Sequence, residues 1–343
     1  MRRAALVALA ALVLPFAAQA RPTQGAPRLF SPTSVWNAPL RSNAQVDPRS
    51  TTLVSGLVTE VANEERLGWG PWISTATSTP IYRVGPRQRT VRVQLDDPTA
   101  SWRAPLQAAL AAVPIPAGAT AADGPDAHLT VWQPSTDKLW ELWKAHKEAD
   151  GWHAAWGGAI AHVSRSPGFY TTASWPGARS FWGATATSLP VAAGTITIAD
   201  LLQGHIDHAI AVDLPYPRAG VYAWPAQRTD GTGIAADAIP EGAHLRLDPT
   251  LDLSTLTMPP LVRMIAVAAQ RYGLIVRDQT HHAIGFFIED PKPLGAAGLF
   301  YGADGLPSPT GFFAGQYPGP LLASFPWRSL RVLKLHLHAN AQQ

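Results

Sequence analysis

The sequence predicts a mainly β single domain with α decorations, of β-sandwich or jelly-roll type. Three observations carry that expectation. Short segments of alternating apolar and polar residues recur along the chain, separated by turns rich in its 32 Pro and 28 Gly. Only a few stretches place apolar residues at helical spacing, and they do not alternate with strands as a βαβ fold requires. No internal repeat is present, which disfavours a propeller or a solenoid.

In chain order, residues 1–20 read as a secretory signal peptide. Met1-Arg2-Arg3 is a charged start, residues 4–18 are an apolar run, and Ala18-Gln19-Ala20 is a cleavage signal. The run is too short, and too closely followed by Arg21, Pro22 and Gln24, to span a bilayer. Cleavage leaves about 320 residues, enough for one large domain. Residues 21–44 read as an extended N-terminal arm pinned by Phe30, Val35 and Trp36, and residues 45–343 as a single β-rich domain.

Leu53, Val54, Leu57, Val58 and Val61 share one helical face, and Gly68 ends that helix. Val91, Val93 and Leu95 line one face of a strand. A short helix over 105–112 is stopped by Pro114 and Pro116. Residues 150–190, dense in Gly, Trp, Ser and Thr, read as long ordered loops and short strands, and long loops in a compact domain are often functional. A short helix over 199–202 leads through Gly204 to a strand over 205–212, and a further strand covers 243–247. Residues 259–272 form the clearest helix: Pro259 and Pro260 suit its first turn, Leu261, Met264, Ile265 and Ala268 make its stripe, and Gly273 caps it. Strands follow over 274–277 and 283–288, and the alternation over 333–338 reads as a final strand.

Charge excludes several classes of partner. Lys and Arg number 27 and Asp and Glu 24; loss of Arg2 and Arg3 with the signal leaves 25 against 24, a net of +1. With no Lys/Arg cluster after the signal, neither a nucleic-acid partner nor a basic membrane-surface helix is expected. The chain has no Cys, hence no disulfide, no thiolate metal site and no lipid-bearing Cys. Charged residues make up only 15% of the chain, and Trp is present 13 times. That combination points to a large core or to aromatic faces offered to a ligand. The expected location is extracytoplasmic, secreted or periplasmic, with no integral membrane segment in the mature chain.

The richest chemistry lies in a hairpin. Residues 126–133 alternate, Pro134-Ser135-Thr136-Asp137 turn, and residues 139–143 return. Closing this loop pairs Trp132 with Leu139, Val131 with Trp140, Thr130 with Glu141 and Leu129 with Leu142. One face then holds Leu129, Val131, Trp140 and Leu142, and the other Asp126, His128, Thr130, Trp132, Glu141 and Trp143. The second face suits a sugar: indoles stack on pyranose faces and carboxylates accept hydroxyl hydrogens. Glycoside cleavage needs two carboxyl groups, one protonated. Glu141 beside indoles is the candidate acid, Asp126 its partner and His128 a proton-sharing neighbour. The plain alternative is a solvent-facing Glu in an ordinary ion pair.

Other constellations are weaker. His208, in Gly204-His205-Ile206-Asp207-His208, is either a core histidine or a proton shuttle at the site. Trp224, Gln227 and Arg228 form an aromatic, amide and guanidinium set in a loop; the last two suit a uronate carboxylate, as a polysaccharide lyase requires, unless the loop only packs its Trp. Trp152-His153 precedes Gly157-Gly158, a pair that permits close backbone approach to a ligand or simply a turn. His281-His282 reads as a solvated turn, and His336 and His338 as the outward face of the last strand. A metal site from Asp126, His128, Glu141 and His208 is possible by ligand type. No H-E-x-x-H, EF-hand loop, G-x-S-x-G, P-loop or dinucleotide fingerprint occurs, so no cofactor is expected.

Ser34-Val35-Trp36-Asn37, the stretch 126–143, Ala186-Thr187-Ser188-Leu189-Pro190 with 204–209, the stretch 224–228, and 242–247 followed by Tyr272-Gly273 occur in an order that resembles a family of secreted microbial proteins without an assigned activity. The likeness spans nearly the whole mature chain. It implies one integral domain and assigns no catalytic residue, though Asp126, His128, Glu141, His208 and Arg228 fall inside the shared stretches. The expected function is a carbohydrate-active enzyme cleaving a polysaccharide or cell-envelope glycan, a glycoside hydrolase before a polysaccharide lyase. Glu141, Asp126, His128 and His208 are its catalytic candidates and Trp132, Trp143, Trp224, Gln227 and Arg228 its substrate-binding ones. The alternatives are a non-catalytic glycan-binding or envelope protein and a metal-dependent hydrolase.

Overall fold

The computed structural model describes residues 28–340, so the expected signal peptide and the first residues of the arm lie outside the described residues. The molecule is a β-rich single domain of several mixed sheets with a few helices. Parallel and antiparallel pairs occur in the same sheets, and this topology does not establish a sandwich or a jelly roll.

A six-stranded sheet runs through the centre in the order Trp72–Ser74, Gly285–Phe287, Ile210–Leu214, Leu274–Gln279, His244–Leu247, Leu330–Val332. Its two middle strands are parallel, with Ile275 opposite Ala211 and Val276 opposite Val212. Strand side chains alternate faces, and here the alternation separates two cores. Ile210, Val212, Leu274 and Val276 join Leu53, Leu57, Leu261 and Ile265 in one apolar cluster. That cluster seats the helices Ser50–Leu67 and Pro260–Arg271, whose apolar stripes are as expected. Each such side chain fully removed from water contributes about 1.5–3 kcal/mol. Ala211 and Ile275 point the other way, into a second cluster with the hairpin. Asp213 and Arg277 continue that second face as buried charges.

The hairpin forms with the expected register: Leu129 faces Leu142, Thr130 faces Glu141, Val131 faces Trp140 and Trp132 faces Leu139. It sits in a four-stranded sheet ordered Ile81–Arg83, Leu129–Gln133, Lys138–Trp143, Trp156–Ala161. Its faces differ from expectation, because both are covered. Every residue of Leu129–Gln133 is buried, and so is every residue of Lys138–Trp143 except its two ends. Tyr170 and Ala192, from the long 150–190 region and just beyond it, bond to Glu141 from the side expected to be open. Gly157 and Gly158 lie in a strand rather than a turn. A Cβ on Gly158 would stand 2.5 Å from the Tyr170 ring, so the close approach it permits is that of Tyr170.

Two smaller sheets complete the fold: Val93–Leu95 with Gly151–Ala154 and His146–Glu148, and Val221–Ala223 with Leu337–Ala339. The central strand begins at Ile210 rather than 205, because His205 to His208 turn beneath the helix Ile198–Gln203. The expected final strand over 333–338 is instead two short ones, Leu330–Val332 and Leu337–Ala339, in different sheets. In the described part of the arm Phe30 and Trp36 are buried, Val35 is half-buried, and Trp36 Nε1 donates to the Gly168 carbonyl at 2.8 Å, but residues 32–38 form turns and bends where an extended arm was expected. Among the described residues no helix is long and apolar enough to cross a membrane.

Gly242 sets the turn into strand His244–Leu247. Its φ is +81°, and a Cβ there would lie 1.7 Å from the Ala223 carbonyl oxygen. Gly242→Ala should destabilise the protein by at least about 2 kcal/mol in urea unfolding, combining left-handed strain with a backbone collision. A loss below about 0.5 kcal/mol, the range of an unremarkable surface change, contradicts this account.

Candidate functional site

The segment 183–189 organises a polar cluster. Its residues from 184 to 188 meet three other stretches of the chain, at His128, at Gln227-Arg228 and at Arg277-Asp278. The Ala184 carbonyl accepts from His128 Nε2 at 3.1 Å. The Thr185 carbonyl accepts from Arg228 Nη2 at 3.0 Å. The Ala186 amide faces both Asp278 carboxylate oxygens at 3.4 Å. Thr187 Oγ1 donates to the Arg277 carbonyl at 2.5 Å, and its own carbonyl accepts from the Gln227 amide at 3.0 Å. Ser188 Oγ, on a residue at φ +64°, accepts from Arg228 Nε at 3.0 Å. Local turn chemistry holds the segment, since Thr185 Oγ1 donates to the Leu189 carbonyl at 2.7 Å. Ala186, alone between buried neighbours, is partly open to solvent.

Two expected residues lie at one end of this cluster. Asp126 is exposed, and its Oδ1 accepts from Trp143 Nε1 at 2.9 Å. His128 is half-buried. Burial pushes its pKa down to about 4; Arg277 lowers it further, while Asp126 and the Ala184 bond oppose the shift. The imidazole is therefore neutral at neutral pH. With Nε2–H directed at a carbonyl, Nδ1 carries the free lone pair. Gln227 and Arg228 hold the same segment from the other side, and Gln227 Nε2 also donates to the Tyr170 carbonyl. Trp224 is 50% exposed and meets Phe169 edge-on.

Glu141 does not join them at the surface. It is 0% exposed; its Oε1 accepts from the Ala192 amide at 2.8 Å and its Oε2 from the Tyr170 hydroxyl at 3.1 Å. Burial raises its pKa to about 7 against these bonds and the pull of Arg277. Such a group ties the hairpin to the segment above it and presents no free oxygen to a substrate. His208 belongs to a separate constellation. Its Nε2 meets Asp200 Oδ2 at 3.1 Å and its Nδ1 the Ala209 carbonyl at 2.8 Å, so both nitrogens are engaged. Burial lowers its pKa, but the Asp200 carboxylate outweighs that and the net shift is upward. Trp132 is 8% exposed and packs in the core under Arg83, whose guanidinium lies 5.1 Å from the ring.

Five charged residues outside the expected set, three of them buried, lie around the same cluster. Arg277 Nη2 pairs with Asp213 Oδ2 at 2.9 Å and its Nη1 donates to the Val191 carbonyl at 2.7 Å. Burial raises the Asp213 pKa against the pull of Arg277. Burial, then Asp213 and Asp230, raise Asp278 well above the carboxylate range. Burial and then Asp278 push Glu241 up to about 9. Asp230 is exposed at the rim. Arg277-Asp278 had a signal, a charged pair directly after the buried run Leu274-Ile275-Val276. Glu241, between Pro240 and Gly242, had none.

Among the described residues, three groups bring metal-ligating atoms within 4.8 Å of one another: Asp96 with His146 and His153, Glu148 with Asp150 and His153, and Asp230 with Glu241 and Asp278. None contains Asp126, His128, Glu141 or His208, the set expected from ligand type. The first two groups are largely solvent-exposed, and His153 Nε2 already meets Asp150 at 2.8 Å.

A carboxyl with a folded pKa above its unfolded one stabilises the fold fully below the unfolded value, and that contribution is lost as pH rises through the folded value. For Glu141 the window runs from 4.5 to about 7. Urea unfolding between pH 5 and pH 8 should therefore show a steeper loss of stability in the parent than in Glu141→Gln, by about 1–3 kcal/mol over the window. Parallel profiles would mean that the carboxyl is not held neutral. The chain matches no protein-family model, no curated protein and no solved structure, so chemistry alone carries its functional reading.

Proposed function

We propose that this is an extracytoplasmic enzyme that cleaves a polysaccharide, with elimination ahead of hydrolysis. The observation that carries the reading is the union, on adjacent carbonyls of one segment, of a neutral His128 with a free Nδ1 and the guanidinium of Arg228. Elimination from a uronate needs these two functions. Arg228, with Gln227 beside it, neutralises the carboxylate and so acidifies the adjacent C–H. His128 takes that proton; the electron pair forms the C–C double bond and expels the glycosidic oxygen, which is protonated from solvent at the exposed rim. Asp126 orients the approach through Trp143, and Trp143 and Trp224 offer ring faces to neighbouring sugars. Hydrolysis ranks second because Glu141, its candidate acid, has both oxygens committed. The extracytoplasmic location rests on the N-terminal sequence alone.

A binding-only protein is the second reading. It is favoured by the exposed indole of Trp102, which packs against Trp156 and Phe181 under Arg103.

The test is incubation of the mature protein with neutral and uronate polysaccharides, following reducing ends and the absorbance of unsaturated products. His128→Ala should lower turnover by about 100-fold or more, the usual contribution of a positioned base, with the melting temperature retained. Reducing ends without unsaturation would restore hydrolysis. Retention of one glycan with no products would favour binding alone.

A further inference from the structure

Glu241 is the least accounted-for charge in the molecule. It is 0% exposed, and neither carboxylate oxygen has a hydrogen-bond partner among the described residues. Thr229 lies near enough to lower the Glu241 pKa slightly but makes no well-formed bond to it. A buried carboxylate normally has two or more donors, because each unsatisfied oxygen costs about 1–3 kcal/mol.

What faces this carboxylate is more negative charge. Ligand atoms of Glu241, Asp230 and Asp278 all lie within 4.8 Å of one another. Among the described residues, none of the three has a Lys, Arg or His nitrogen within 4.0 Å; Arg277 is paired with Asp213, and Arg228 is bonded to Ser188 and Thr185. The three arrive from separate parts of the chain. Asp230 comes from the loop after Trp224, Glu241 from the turn fixed by Gly242, and Asp278 from the end of the central strand Leu274–Gln279. Three converging carboxylates, one sealed and unpartnered and one at the rim, are the donor set of a hard cation with room for water.

We infer that Asp230, Glu241 and Asp278 bind one Ca²⁺ ion, which clamps loop, turn and strand together beside Arg228. Calcium suits the site better than magnesium. Its coordination is flexible enough for carboxylates delivered by a loop, a turn and a strand, whereas Mg²⁺ demands a near-ideal octahedron and keeps most of its own water. The inference is independent of the enzymatic reading, since its readout is ion binding.

The experiment is calorimetric titration of CaCl2 into the chelator-stripped mature protein, with melting temperatures measured in parallel. One ion should bind. Calcium at 100 times its dissociation constant should raise the melting temperature by about 5 °C. Glu241→Gln and Asp230→Asn should each weaken binding at least tenfold. Asp230 is at the rim, so Asp230→Asn keeps the test decisive if the buried variant fails to fold. Absence of both heat and a melting shift at about 10 mM CaCl2, above the weakest extracellular sites, would overturn the inference and leave the three carboxyls sharing protons. Undiminished binding in Asp230→Asn would also overturn it, moving the ion to the exposed Asp96, Glu148 and Asp150.

Discussion

The candidate site depends on one buried ion pair. Arg277 and Asp213 stand on neighbouring strands of the central sheet, on the face turned toward the hairpin, and meet at 2.9 Å. The remaining bonds of Arg277 go to the segment above: Nη1 to the Val191 carbonyl at 2.7 Å, and its own carbonyl to Thr187 Oγ1 at 2.5 Å. The guanidinium also lies 4.7 Å from the Phe287 ring. Burying two charges is expensive, and removing one partner typically costs about 3–5 kcal/mol because the other is stranded. The pair is therefore a poor source of net stability and a strong determinant of position: it locates the stretch 183–195 against the sheet, and with it every carbonyl that His128 and Arg228 use.

The same stretch is held from the opposite side by Glu141. Its two oxygens reach Ala192 and Tyr170, and the absence of a side chain on Gly158 lets the Tyr170 ring come down beside it. A fully desolvated carboxyl with two donors is neutral or charged according to a close balance, which is why its pKa settles at about 7 rather than at an extreme. Glu141 and Arg277 thus act as two anchors of one segment, one from each sheet. Work at the site is left to groups with free atoms: His128 Nδ1, the rim carboxylates and the exposed indoles.

Charge in the cluster is uneven. His128 and Asp126 occupy one end; Arg228, Asp230, Glu241 and Asp278 occupy the other. Carboxylates outnumber the two guanidinium groups, and two of them, Asp213 and Glu241, are buried. Such an imbalance persists in a folded protein only if protons or a cation neutralise it. That is a property of the assembled site, and the near-neutral composition of the whole chain conceals it.

Periodicity and turn chemistry determined much of this protein unaided. The helices Ser50–Leu67 and Pro260–Arg271 and the hairpin register follow from local spacing, because short-range rules set which side chains share a face. The proximity of Asp126 and His128 has a different origin from the one expected: the strand begins only at Leu129, Asp126 lies in a turn and Ala127 between them stands at φ +38°, so strand alternation does not place them. What covers a face is not a local property. Whether the Glu141 side of the hairpin meets water or protein was decided by the return of Tyr170 and Ala192, 29 and 51 residues later, and strands with both faces covered cannot be told from ones with a single covered face when they carry Thr130 and Glu141. The convergence of Asp213, Asp230, Glu241, Arg277 and Asp278 is likewise a tertiary fact: each sits in an unremarkable stretch, and only the stacking of two sheets turns those stretches into one site.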